Sequence, residues 1–205
     1  MQDINNIKKK IVYMSEIALK MWQTTFKTFM EHDLDLLSKV LDEENKLNEL
    51  EKEITSDLIE LSHTSSKKDE KDKTTIYLDV VEDLELIGDY CKDILERVQI
   101  KIEEKLLFSD EAVKEYSNLY HKTEAALKKI VGAMAKYDSS KLEEVLKDET
   151  QIEELVDEYR KRHNQRLING ICSPLACNMF LNMLDFTGQI FHHTKSIAKD
   201  ILELR

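Results

Sequence analysis

Apolar residues recur along the chain at alternating steps of three and four. Ile4, Ile7, Ile11, Met14, Ala18 and Met21 define one such stripe and predict an amphipathic helix with a single buried face. His32-Asp33 interrupts the pattern, with Asp33 placed to cap the helix that follows. That second helix carries Leu37, Val40, Leu47, Ile54, Leu58 and Leu61. Ser62 to Lys73 (SHTSSKKDEKDK) has no apolar residue and predicts an exposed loop, open to proteolysis. A third helix is expected from about Thr75 to Leu106, and a fourth from Ser109-Asp110 to near Tyr137. A fifth begins at the Asp138-Ser139-Ser140 cap and reaches about Ile168, where Asn169-Gly170 offers the left-handed residue that stops it. Ser173-Pro174 supplies a cap and a first-turn proline for a sixth. The expected fold class is all-α.

The pattern is duplicated. A shift of 105 residues superimposes Asp33 on Asp138, Leu37 on Leu142, Val40-Leu41 on Val145-Leu146, Glu44 on Glu149 and Glu53 on Glu158. A shift of 100 pairs Leu84 with Leu184 and Gly88 with Gly188. Two pseudo-repeated three-helix bundles follow, residues 1–106 and 107–205, each too small to be secure alone. Inside a helix each of the two paired glycines costs roughly 1 kcal/mol relative to alanine. Close approach of a neighbouring helix backbone is the expected reason for them.

Composition narrows the function. Four glycines and one proline in 205 residues cannot supply the turns of a sandwich, barrel or dinucleotide-binding sheet. With 41 acidic against 30 basic residues the net charge is −11, which opposes binding to nucleic-acid phosphates and docking on anionic lipid. The same charge suits metal cations, basic protein partners, or solubility alone. No run of 18 apolar residues exists to span a membrane, and Met1-Gln2-Asp3 does not open a signal peptide. Cys91, Cys172 and Cys177 have no C-x-x-C spacing, so a reduced, cytoplasmic setting is expected, with the cysteines as small buried residues.

On the third helix Val80, Leu84, Ile87, Cys91, Ile94 and Val98 share one face. Glu82, Glu85, Asp89, Asp93 and Glu96 gather on the opposite one. Carboxylates stacked at such spacing repel by a few tenths of a kcal/mol per pair, and Lys92 alone cannot neutralise the row. The stripe reads either as a solvated face or as a carboxylate cluster for a hard or borderline cation. The sixth helix carries Asp185, Gln189 and His193 at the matching positions, with His192 alongside. A ferritin-like di-iron site would need two E-x-x-H motifs, and only Glu60-x-x-His63 fits. Zinc at Cys172 and Cys177 lacks a further cysteine or paired histidine nearby in sequence. His32, His121 and His163 have ordinary helix-surface explanations. No phosphate loop, nucleophile elbow or protease zinc motif occurs.

The segment LELIGDYCKDI, Leu84 to Ile94, resembles the signature of the PhoU family. The segment from Arg162 to Ala198 resembles the PhoU-like domain at the cytoplasmic end of sodium/phosphate cotransporters. There an H-x-x-R-L-x-x-G-x-C-S-P element, here His163 to Pro174, leads into the last helix. The T-P-F-x-x-x-D-I element of the phosphate-transport accessory branch is replaced by TTIYLDVVEDL. The resemblance implies metal ligation by an acidic residue four positions before an aspartate. Glu85, Asp89 and Asp93 match that motif, and Asp185 keeps its first position, while Gln189 and His193 depart from it. Leu86 and Phe186 stand where the family has arginine. Glu44 holds a family acidic position, and Asn48 replaces an aspartate. The implied metal set is Glu85, Asp89, Asp93, Asp185 and His193, for a divalent or iron-type ion. The implied function is regulation of phosphate uptake by binding a membrane phosphate transporter or its sensor kinase, with no catalysis, so the chain is not expected to be an enzyme. A homodimer is compatible, whereas nucleic-acid binding and membrane insertion of this chain are not expected. Two other readings stand beside it: a helical-bundle metalloprotein with a storage or redox role, and a scaffold that oligomerises through its apolar stripes.

Overall fold

The computed structural model describes residues 4–65, 68–147 and 149–204. Their regular structure is helical, with no strand. In chain order the elements are α1 (Ile4–Glu31), a 3-10 turn (Leu34–Leu36), α2 (Leu37–Thr64), α3 (Lys68–Glu103), α4 (Asp110–Ala135), α5 (Ser139–Lys147), α6 (Glu149–Ile168) and α7 (Pro174–Glu203). The expected all-α fold is therefore observed. The predicted fifth helix is covered by α5 and α6, on either side of position 148, which lies outside the described residues.

The helix ends fall where polar side chains can satisfy orphan backbone groups. Ser109 and Ser173 cap α4 and α7, each Oγ accepting at 3.2 Å from the N–H of Ala112 and Ala176 respectively. Asp138 accepts from the Lys141 N–H at 3.3 Å at the start of α5. Gly170, at φ +70°, ends α6. There the Ile171 N–H returns to the Arg166 carbonyl at 2.9 Å and the Gly170 N–H to Leu167 at 3.0 Å, the paired closure that favours glycine. Asp33 accepts from the Asp35 N–H at 2.9 Å, so it caps the short 3-10 turn and not α2 itself.

The predicted Ser62–Lys73 loop is a correction. Positions 66 and 67 lie outside the described residues, but α2 runs on to Thr64 and α3 begins at Lys68. Lack of an apolar stripe does not end a helix that has no core to face. Here Lys73 pairs with Asp69 one turn away at 2.8 Å, and Asp69 and Glu70 sit at the positive end of the α3 dipole. The leader-peptide reading of Met1 to Asp3 also falls outside the described residues.

One apolar core runs through both halves, with Ile7, Trp22, Leu47, Leu84 and Ile87 from the first and Tyr116, Phe180, Leu184 and Ile197 from the second. The most extensive helix pair is α3 against α7. They are antiparallel: Asp83 meets His193, and Tyr90 meets Phe186 with ring centroids 5.9 Å apart. Gly88 and Gly188 lie midway between these contacts, but neither abuts a foreign backbone, contrary to expectation. A Cβ at Gly88 would meet the two Leu47 methyls at 3.2 and 3.3 Å, whereas one at Gly188 would find only Val156 Cγ2 at 3.7 Å.

Candidate functional site

Helix α3 faces the core with Val80, Leu84, Ile87, Cys91, Ile94 and Val98, all buried as the spacing predicts. The opposite row is not uniformly wet. Glu82 and Glu96 are exposed, while Glu85, Asp89 and Asp93 are half-buried. Helix α2, packed on α3, brings Glu44 and Glu51 within electrostatic reach of Glu85. Burial first, then the charges of Asp89, Glu51, Glu44 and Glu82, raise the Glu85 carboxyl above its ordinary range. Asp93 is raised too, by burial and by Glu96, with Arg97 opposing.

Opposite this row, Glu44 is buried, accepting from Lys92 Nζ at 2.9 Å and from Asn48 Nδ2 at 3.1 Å. The single lysine of the row is thus bonded to Glu44 on α2, while its charge still acts on Asp89 and Asp93. A carboxylate only accepts, so Glu44 fixes the Asn48 amide with its nitrogen toward α2's own acid. The Asn48 Oδ1 is then buried without a hydrogen-bond partner among the described residues. An orphaned amide oxygen on a residue bonded to the Glu44 carboxylate is oxygen chemistry of the kind a hard cation takes. As the side chains stand, the oxygens of Glu85, Asp89 and Asp93 do not all fall within 4.8 Å of one another. Glu51, seven residues and about two turns beyond Glu44 on α2, carries no local signal in the sequence; only the pairing of α2 with α3 reveals its effect.

The second half is built differently. Asp185 and Gln189 line a cavity of about 620 Å³ between α6 and α7, with Glu153, Asp157, Arg160 and His192. Arg160 grips both Asp185 oxygens, so the matching carboxylate is already neutralised. His193 lies outside this lining: its Nδ1 sits 2.7 Å from Asp83 Oδ1, and its ring stacks on Tyr90. The structure therefore brings Glu85 within electrostatic reach of Asp89, Glu44 and Glu51, although among the described residues no three of these carboxylates have oxygens within 4.8 Å of one another, and it places Asp185 and His193 in two other settings. His192, not His193, is the imidazole of the cavity. Glu149, the repeat counterpart of Glu44, has a side chain outside the described residues.

Of the remaining histidines, His163 departs from the surface role expected of it, while His32 and His121 are exposed. His163 is buried, at 1% exposure, and His32 Nε2 lies 2.8 Å from the Nζ of the buried Lys101. His121 does remain largely exposed. Cys91 and Cys177 are buried, but Cys172 is only half-buried.

Residues 11–98 match the PhoU domain family model. The fold resembles the crystal structure of PhoU from Pseudomonas aeruginosa with a TM-score of 0.92 at 15% identity, over 98% of this chain and 96% of that one. For the phosphate transport system regulatory protein PhoU from Streptococcus pneumoniae the TM-score is 0.87 at 12% identity, over 98% and 93% of the two chains. A PhoU-like protein from Shewanella oneidensis gives 0.65 at 12% identity, over 97% and 98%. No curated protein sequence matches the chain.

Proposed function

We propose that this chain is a PhoU-like regulator of phosphate homeostasis that acts by binding. It docks on a membrane phosphate transporter, or on the sensor kinase that reads it, and restrains uptake when phosphate is plentiful. The match of residues 11–98 to the PhoU domain carries this reading, and the similarity in fold over nearly the whole length supports it. No helix of the described residues is long and apolar enough to cross a membrane. A setting as the cytosolic part of a sodium/phosphate cotransporter uses the same surface and the same chemistry.

The carboxylate groove between α2 and α3 would serve as the cation-dependent part of that surface. Glu85, Asp89 and the Asn48 amide oxygen would hold a divalent ion, with Asp93 flanking. The ion would cancel the repulsion that raises the Glu85 carboxyl and would give Asn48 Oδ1 its missing partner. Asp185 and His193 are proposed as ligands only with their present partners, Arg160 and Asp83, displaced.

Capture of transporter and kinase by the purified chain, at high and low phosphate, tests the function; empty captures at every phosphate level would refute it. Titration with magnesium or manganese tests the groove separately. Glu85→Gln with Asp89→Asn should abolish ion binding while leaving the fold intact and slightly more stable without ion. Unchanged ion affinity in that double variant would remove the groove from the proposal and leave the docking reading standing.

A further inference from the structure

Among the described residues, His163, Cys172 and Cys177 form the one set of three His, Cys, Asp or Glu side chains whose donor atoms all lie within 4.8 Å of one another. Local geometry explains the sulfur pair. Ser173 caps α7 and Pro174 is its first residue, so Cys172 immediately precedes the cap and Cys177 is the fourth helical residue. Side chains at those two positions pack across the start of a helix. Phe108 and Val113 hold the same positions around Ser109 at the start of α4, where they line a common cavity.

His163 comes from the last turns of α6 and is held from two sides. Its ring stacks on Phe180 with centroids 4.1 Å apart, and its Nδ1 lies 3.2 Å from Arg166 Nη1. Arg166 is itself tied to Glu115 at 2.6 Å. A guanidinium can only donate, so Nδ1 accepts and the proton of the neutral imidazole sits on Nε2. That Nε2 is buried and has no hydrogen-bond partner among the described residues. A metal ion would need a free imidazole lone pair, with the other nitrogen donating to an acceptor. Here the lone pair is spent on Arg166, which argues against a zinc site despite the convergence of three donors. What the ring has to offer the sulfurs is an N–H.

The two cysteines differ in access. Cys172 is half-buried in a turn whose other residues, from Ile168 to Leu175, are exposed, and Cys177 lies buried behind it. Burial first, then the neighbouring Cys172, push the Cys177 thiol up to about 11.

We propose that Cys172 and Cys177 are a thiol pair that closes reversibly to a disulfide by exchange with a low-molecular-weight disulfide. Cys172 is the nucleophile, Cys177 the resolving thiol, and His163 Nε2–H the donor to the sulfur anion. In the first step the Cys172 thiol loses its proton and its sulfur attacks the small disulfide. The S–S bond of that molecule breaks, a mixed disulfide forms on Cys172, and the departing small thiolate takes up a proton. In the second step the Cys177 thiol loses its proton, its sulfur attacks the Cys172 sulfur, and the second small thiol leaves protonated. Two protein thiols are oxidised and one small disulfide is reduced to two thiols. The exposed turn supplies the freedom to bring the sulfurs into bonding distance.

The test uses the full chain and oxidised glutathione, followed by tryptic peptide mass analysis under acid. Both cysteines fall within the single peptide from Leu167 to Lys195, and Cys91 falls in another. The expected result is a Leu167–Lys195 peptide lighter by two hydrogens and restored by dithiothreitol, with the Cys91 peptide unmodified. Cys177→Ser should trap a stable glutathione adduct on Cys172, and Cys172→Ser should leave the peptide reduced. His163→Gln should slow adduct formation several-fold while circular dichroism and the rate of the second step stay as in the parent. Three results would each overturn the proposal: a peptide that stays reduced in the folded parent, a glutathione adduct that persists with Cys177 present, or stoichiometric zinc in the purified chain that is lost only on replacing these cysteines.

Discussion

Replacing Gly188 by alanine and, separately, Gly88 by alanine makes one chemical change at two points related by the repeat. In a helix interior the exchange favours folding by about 1 kcal/mol, because alanine loses less backbone freedom. At position 188 nothing opposes that gain. The new methyl would meet Val156 Cγ2 at 3.7 Å, an ordinary contact, at the edge of the α6–α7 cavity. Gly188→Ala is therefore expected to stabilise by about 1 kcal/mol. At position 88 the methyl would press on both Leu47 methyls at 3.2 and 3.3 Å. Leu47 is fully buried against the α1 and α3 core and has no solvent to retreat into. Overpacking of that kind costs about 1–3 kcal/mol, so Gly88→Ala should range from neutral to about 2 kcal/mol destabilising. Urea unfolding of both variants, read as midpoints at a common slope, measures the difference. Equal stabilisation of the two would refute the packing argument at Gly88, and destabilisation by Gly188→Ala would refute the claim that the second site is open.

Asp200 has its carboxyl pushed up from 3.8 to about 6, by burial first and then by Asp83, Asp79 and Glu203. A raised carboxyl favours the fold below the unfolded value and loses that contribution as pH rises through 6, so Asp200→Asn should stabilise at pH 7 by about 1–2 kcal/mol after allowing for partial solvent screening, and have little effect below pH 4. His163 moves the other way: burial and then Arg166 lower it to about 4, so the parent should lose stability as pH falls from 6.5 toward 4. His163→Phe, which keeps a ring against Phe180, should flatten that loss in urea midpoints taken across the window; a parallel curve would exclude His163 as its source. His193→Ala should cost about 1–3 kcal/mol by stranding the shielded Asp83 carboxylate, with Asp83→Asn added to it recovering part of the loss. A strictly additive double variant would show the 2.7 Å contact to be energetically idle.

Much of the fold was legible because a helix repeats every 3.6 residues, and that period fixes which residues share a face. The buried row from Val80 to Val98 and the acidic row behind it needed nothing more. Caps at Ser109, Asp138 and Ser173 were equally readable, since their chemistry is local. The Ser62–Lys73 stretch was misread because apolar spacing reports burial and not helicity, and a helix end projecting past the core carries no such signal. Partnerships between helices were out of reach. Nothing in the local pattern says that Arg160 neutralises Asp185, that Asp83 claims His193, or that Glu51 adds to the charge around Glu85. The Cys172–Cys177 approach was within reach through the rule that side chains flanking a helix start meet, but His163 joins them only through the turn geometry at Gly170.

The antiparallel embrace of α3 and α7 also bears on what the duplicated halves have become. Between Glu103 and Asp110 the chain crosses a short exposed connection that carries Leu107, 84% exposed. Severing the backbone there would leave two fragments of similar length, each with a long greasy flank stripped of its mate. Such fragments should clump when kept apart and knit back into one particle when combined. Because the two halves share one core, melting should proceed as one event, and a wound in either half should be felt by the whole.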